Sequence, residues 1–209
     1  MHQQNKELIV IGYSGHSYVV IDALQKTGWD IKGYCDYNQK ESNPYKLNYL
    51  GKEGKHVLSD NNWIVAIGNN SIRRKIIEGL VNVGQLCTVI HPTASIGFQS
   101  TIGIGSFISS NVSLNALSTI GIGCIINTGS VIEHDTTIGD FSHVAPGAIL
   151  CGNVSVGSDT LIGANSVIRE NINIGHNVTI GAGAVIVNDV ADNEVVVGNP
   201  GKSLLAGDS

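Results

Sequence analysis

The 209-residue sequence is poor in several things at once, with one methionine, two tryptophans, four prolines, four cysteines and 14% charged residues. The cysteines, at 35, 87, 124 and 151, form no CxxC pair, which argues against the usual zinc spacings and against a disulfide framework. A reducing cytoplasm is the expected setting. Twelve basic residues against seventeen acidic ones give a formal charge of −5, so nucleic acid is not an expected partner. The only basic run, Arg73, Arg74 and Lys75, reads as a solvated helix face. No apolar run approaches the ~18 residues of a membrane span. The opening "MHQQNKELIVIG" has neither the apolar length nor the small-residue cleavage site of a signal peptide. What the chain has in quantity is glycine, 26 residues without a collagen period, and hence many tight turns.

Residues 1–90 alternate short apolar runs with helical patterns. "ELIVIG" (7–12), "WDIKGYCD" (29–36), "NWIVAIG" (62–68) and "LCTVIHP" (86–92) read as buried parallel strands. "SYVVIDALQKTG" (17–28) places Val20, Ala23 and Leu24 on one helical face, with Gly28 as C-cap. "NSIRRKIIEGLVNVG" (70–84) is an amphipathic helix capped at Asn70 or Ser71, and 37–60 is polar and irregular. Such alternation predicts a small Rossmann-like α/β domain.

From Ile96 every sixth residue is aliphatic, sixteen times without a break, as far as Ile186. Half of these are followed by glycine, and four positions after each comes a small or β-branched residue, as in Ser100, Ser106 and Cys124. Helical aliphatics with a period of six would wander around the axis. A coil with three short flat faces accommodates the period, with the aliphatic inside and glycine permitting the corner. This is a hexapeptide-repeat parallel β-helix of eighteen residues per coil, a little over five coils, with coils ~4.8 Å apart. The N-terminal domain is expected to cover one of its two ends.

The hexads "STIGIG", "TTIGDF" and "VTIGAG" resemble the left-handed β-helix acyltransferases. With "VIGYSGHSYVVIDAL", Asp36, "VIEHDTTIGDFSHVAPGAILCGNVSVG" and "VVGNPGK", the chain resembles the sialic-acid O-acetyltransferase and UDP-bacillosamine N-acetyltransferase group over about 1–202. The resemblance implies a Rossmann-like nucleotide-sugar domain (1–90), a left-handed β-helix that binds acetyl-CoA (91–198) and a C-terminal tail (199–209). It implies a homotrimer with sites between neighbouring prisms. The implied reaction moves acetyl from acetyl-CoA to the 4-amino group of a UDP-4-amino-4,6-dideoxy sugar, for bacterial surface glycans. The alternative acceptor is a hydroxyl of sialic acid or a related sugar.

Site residues follow from spacing and resemblance together. His134 lies two positions after an interior aliphatic, hence at an outward corner, beside the carboxylate of Asp135. The resemblance makes His134 the catalytic base, in a family where many members carry glutamate at the position of Asp135. Gly152, eighteen residues on, stacks one coil above, where its N–H can meet an oxyanion. Nine residues separate His143 from His134, half a coil, so the two reach one site only across a subunit boundary. The resemblance puts Asn127 with the sugar and His143 at the cofactor or the sugar. "GYSGHS" (12–17) joins a strand to a helix N-terminus without a dinucleotide fingerprint. By resemblance Gly12, Ser14, Gly15, His16 and Asp36 hold the nucleotide, and Gly181, Ala182, Pro200 and Lys202 line the acetyl-CoA groove. A non-enzymatic rival is a zinc trimer built on His134, His143 and His176, although no two of these stack at eighteen-residue spacing.

Overall fold

The computed structural model describes residues 7–204. The opening hexapeptide and residues 205–209 of the expected tail lie outside the described residues. β1 (Glu7–Ile11) is apolar and buried from Leu8 onward. It sits inside a four-stranded parallel sheet ordered β2-β1-β3-β4, where β2 is Asp30–Cys35, β3 Asn62–Val65 and β4 Gln85–Leu86. Parallel neighbours need crossovers. Those into β2 and β4 run through α1 (Gly15–Lys26) and α3 (Asn70–Leu80); the segment between β2 and β3 holds only the four-residue α2 (Lys55–Leu58). α1 starts two residues earlier than its apolar pattern indicates, so His16 stands in its first turn. α3 is capped by neither Asn70 nor Ser71 but by Asn69, whose side chain accepts from the Ile72 N–H at 3.0 Å.

The segment 86–92 divides between two architectures. Leu86 pairs with Trp63 in the Rossmann-like sheet, whereas Val89–Ile90 pairs with Phe107–Ile108 as the first strand of the prism. From there the two-residue strands pair in parallel with the strand eighteen residues later, as in Ile132 with Leu150 and Ile138 with Val156, until the last step on face one, where Ile180 pairs with Val196, sixteen residues on. Three sheets result, one per face. Face one runs from Val89–Ile90 to Val195–Val197, face two from Ser95–Ile96 to Val185–Ile186, and face three from Thr101–Ile102 to Asn173–Ile174. Including the hexad at Ile90, the prism has about six coils. The hexad aliphatics from Ile108 to Ile186 form one continuous buried column.

The corners work differently from the expectation. From Ile96 to Ile180 the residue with positive φ is the third after each aliphatic, for example Gln99, Gly105, Asn111, Asp135, Phe141 and Asn177. The glycines directly after the aliphatics serve close approach instead. A Cβ on Gly157 would stand 2.5 Å from the carbonyl carbon of Gly175, and one on Gly103 2.5 Å from that of Gly121. At these glycines successive coils are too near for any side chain. The small residue at the fourth position closes the next coil: Ser106, Ser118, Ser142 and Thr160 each donate to a carbonyl fifteen residues on, at 2.7–2.9 Å. Gly157→Ala is therefore expected to lower stability by roughly 1–3 kcal/mol through overpacking, read as a lower Tm.

The N-terminal domain does not cap the prism. It packs along face one, where Phe107 and Ile125 share a core with Val10, Val20 and Leu24. The first coil stays open, with Ile90 and Ile96 at 37% and 40% exposure. The other end is closed by the chain's return, Lys202–Ser203 antiparallel to Val196–Val197, with Gly201 against Ile186. Face two is uncovered, and its outward column of Val131, Ile149, Val167 and Val185 is apolar.

Candidate active site

His134 and Asp135 stand at the corner after face two. The Nδ1 of His134 lies 2.8 Å from Asp135 Oδ2, and the side chains are 62% and 51% exposed. Asp135 holds φ +59, a left-handed conformation that aspartate adopts more readily than most residues. The side chain turns back to its neighbour and orients the ring, and among the described residues Nε2 has no hydrogen-bond partner. One coil on, Gly152 supports the ring: a Cβ there would meet His134 Cε1 at 2.7 Å and Nε2 at 2.8 Å. Among the described residues nothing accepts from the Gly152 N–H. Gly152→Ala is expected to push the imidazole aside and lower kcat by about 10-fold or more, with little loss of Tm; turnover assays and thermal melts separate the two effects. Beside it, burial and the charges of Glu170 and Glu133 push the Cys151 thiol up, so Cys151 is not a ready thiolate.

A second cluster forms where the N-terminal domain meets face one. His143 projects from its strand, with the Nε2 3.1 Å from Asn127 Nδ2. The Asn127 Oδ1 already accepts from the Thr128 N–H at 2.8 Å, so its amide NH2 faces the imidazole and His143 Nε2 is the acceptor. The backbone of Gly68 also lies against the His143 ring, where it favours the protonated form. The His16 ring lies 6.2 Å from that of His143, and its Nε2 is buried without a hydrogen-bond partner. Burial first, and the Arg73 guanidinium second, push both imidazoles down to about 4. His143 and Asn127 thus share one cluster with the loop residue His16, while His134 stands at a separate corner.

The loop residues divide by role. Gly12 takes φ +91 and leaves no room for a Cβ against Ile67. Ser14 and Gly15 are exposed at the N-terminus of α1, whose first N–H groups lack helical acceptors. Asp36 is already engaged: Oδ2 accepts from the Tyr13 N–H at 3.0 Å, and Oδ1 from the Tyr37 N–H at 2.7 Å and from Lys40 at 3.0 Å. It pins the loop, and a bound nucleotide would share it with Lys40. Next to the loop lies an open cavity of about 610 Å³ lined by Tyr13, Ser14, Gly15, Tyr18 and Lys40. Another, of about 620 Å³, runs from Gly68 and Asn70 along Leu161 and Thr179 on the His143 face. At the closed end, Gly181 touches Val197, which pairs with Lys202, while Ala182 and Pro200 are exposed nearby. His176 is structural, its Nδ1 accepting the Ser158 N–H at 2.9 Å. Among the described residues no group of three or more His, Cys, Asp or Glu is placed to hold a metal.

Sequence reasoning missed Arg73. The basic run is not a solvated face: Arg73 is fully buried, and Arg74 forms a two-bonded pair with Asp159 of the prism at 2.6 and 2.9 Å. An arginine inside a basic run carries no mark of burial, because what buries it is a face of the prism distant in sequence.

A Rossmann-like domain laid along a hexapeptide prism, with a corner histidine–carboxylate pair, defines the class of left-handed β-helix acyltransferases. The comparisons narrow it. Residues 7–80 match the PglD N-terminal domain, and residues 153–188 match the bacterial transferase hexapeptide (six repeats). The acetyltransferase domain of PglB from Neisseria gonorrhoeae FA1090, solved with acetyl coenzyme A, is 33% identical with a TM-score of 0.87, covering 96% of this chain and 100% of that one. A perosamine N-acetyltransferase variant from Caulobacter crescentus, solved with CoA and GDP-perosamine, is 31% identical with a TM-score of 0.89, covering 97% of each chain. The UDP-N-acetylbacillosamine N-acetyltransferase of Bacillus subtilis (strain 168) is 30% identical over 110 residues, 49% of this chain and 51% of that relative's length. The chain belongs to the sialic-acid O-acetyltransferase and bacillosamine N-acetyltransferase group of that class.

Proposed function

We propose that this protein is an acetyl-CoA-dependent N-acetyltransferase acting on the 4-amino group of a nucleotide-linked 4-amino-4,6-dideoxy sugar, with UDP as the nucleotide, in surface-glycan precursor synthesis. The observation that carries this reading is the His134–Asp135 pair, with Nε2 free and the ring backed by Gly152. The relatives solved with acetyl coenzyme A and with GDP-perosamine support the donor and the acceptor class.

In this reading His134 Nε2 removes a proton from the amine as it attacks the thioester carbonyl, and Asp135 stabilises the imidazolium that forms. The Gly152 N–H donates to the oxyanion. The tetrahedral intermediate collapses, the C–S bond breaks, and coenzyme A leaves as the thiol with the proton from His134. No acyl-enzyme is formed, consistent with the raised Cys151 thiol. The nucleotide lies along Gly12, Ser14, Gly15 and Asp36, with the sugar towards His16, Asn127 and His143. Gly181, Ala182, Pro200 and Lys202 hold acetyl-CoA.

On one chain these groups are apart: His134 follows face two, His143 is on face one, and Ala182 is at the corner after face one. A trimer joins them, and the uncovered apolar column of face two is the surface that supports it. A cytoplasmic setting fits the two substrates. Among the described residues no helix is long and apolar enough to cross a membrane.

The test is thiol release from acetyl-CoA with UDP- and GDP-linked 4-amino sugars, CMP-sialic acid and free sialic acid side by side. Turnover is expected with the amino sugars. Turnover with the hydroxyl acceptors alone would replace the amine reading by O-acetylation.

A further inference from the structure

Arg73 is a cation inside the protein to which no carboxylate among the described residues is hydrogen-bonded. Its side chain is fully buried on α3. Nε donates to the Gly123 carbonyl at 2.6 Å, and Nη2 to the Phe141 carbonyl at 2.6 Å and to Asn70 Oδ1 at 2.9 Å. Nη1 donates to the carbonyls of Ile67 and Gly68, both at 3.1 Å. Gly123 and Phe141 are the left-handed residues of one corner in successive coils, so one guanidinium joins two coils to the loop after β3. The fork matches these acceptors as an ammonium could not.

Burying a charge this way costs several kcal/mol before its hydrogen bonds offset the loss. Docking alone does not require it. The neighbouring Arg74 already ties α3 to Asp159 by two short bonds at the surface and stacks on Phe141 at 4.3 Å. What Arg73 adds is its position beside two imidazoles. It meets the backbone of Gly68, as His143 does, and it is the charged group that acts on both His16 and His143.

We propose that Arg73 is a positioning residue for the sugar end of the site: its buried guanidinium ties the 67–68 segment to two coils of the prism beside His143, and this tie keeps His143 and His16 in place across the domain boundary with His16 Nε2 free for the acceptor substrate. The proposal rests on the acetyltransferase reading for the identity of that substrate. The groups facing the pair are Arg73 from α3, each imidazole towards the other, and behind Arg73 Cys124 and Asp159 of the prism, the latter bound to Arg74. With burial and Arg73 together holding both rings down to about 4, neither is an imidazolium at neutral pH, and each keeps a single ring N–H. His143 keeps accepting from Asn127, and His16 keeps an uncharged, unpartnered nitrogen.

The experiment follows the histidine ring signals by NMR against pH in the full-length protein, alongside steady-state kinetics. In the wild type the His16 and His143 signals are expected to show no titration above about pH 5. Arg73→Gln should move both titrations upward by about one pH unit or more. It should raise KM for the nucleotide amino sugar about tenfold while leaving KM for acetyl-CoA within about twofold. Arg73→Lys, which keeps the charge, should hold the titrations low and recover part of the sugar KM. A wild-type His16 or His143 titrating near its ordinary value overturns the proposal. So does a folded Arg73→Gln with both titrations and the sugar KM unchanged. If Arg73→Gln does not fold, the wild-type titration and the Arg73→Lys kinetics decide. A wild type inactive on every amino sugar would defeat the N-acetyltransferase reading, yet the titrations would still test the role of Arg73.

Discussion

Replacing His134 with alanine is expected to lower kcat by about 10²–10⁴-fold, the range that a positioned general base supplies. The side chain is 62% exposed and lies outside the aliphatic column, so its loss leaves no cavity, and Tm should stay within a degree or two. KM for both substrates should change little, because the imidazole acts in the transition state. Asp135→Asn keeps a residue that tolerates φ +59 and an oxygen for Nδ1, but removes the charge that stabilises the imidazolium. Its kcat should fall about tenfold, between wild type and His134→Ala. Near-normal turnover of a folded His134→Ala would remove His134 from the mechanism.

The second large effect is expected from the outside of the prism. Ile149 is at the centre of the uncovered column of face two, 38% exposed among Val131 and Val167, one strand before Gly152. A glutamate there would put a charge into an apolar contact, which costs several kcal/mol unless it is paired. Ile149→Glu is expected to give a folded monomer by sedimentation, with acetyl transfer below about 1% of wild type. Binding of the nucleotide to the N-terminal domain should survive. The same logic predicts complementation: co-expressed His134→Ala and His16→Ala chains should regain activity in mixed trimers, since each subunit boundary then has a chance of two intact halves. A monomeric wild type with full activity would sink the shared-site arrangement.

Much of the architecture was legible because the hexad code is local. Each aliphatic meets the aliphatic eighteen residues away, as Ile132 meets Leu150, so a regular period in the sequence becomes a regular stack in space. The stacking of Gly152 on His134 follows from the same count. The role of the glycines did not follow, because a glycine that serves φ and one that serves close approach look alike in sequence. Only the 2.5 Å separation at Gly157 and the positive φ three residues after each aliphatic from Ile96 to Ile180 distinguish them. The placement of the N-terminal domain also escaped. An apolar helix face shows that something covers it, not whether that cover is the end of the prism or its side.

The sequence by itself thus determined the prism, its period, the start of a new architecture near residue 90, and the corner on which His134 and Asp135 stand. All of these depend on residues at fixed spacing whose contacts repeat. Only the tertiary structure decided that the Rossmann-like domain lies along face one, that Arg73 is buried between the two, and that His16 meets His143 and Asn127. Those contacts join segments with no common period, held by the docking of one apolar surface on another, and such docking has no spacing by which a sequence announces it.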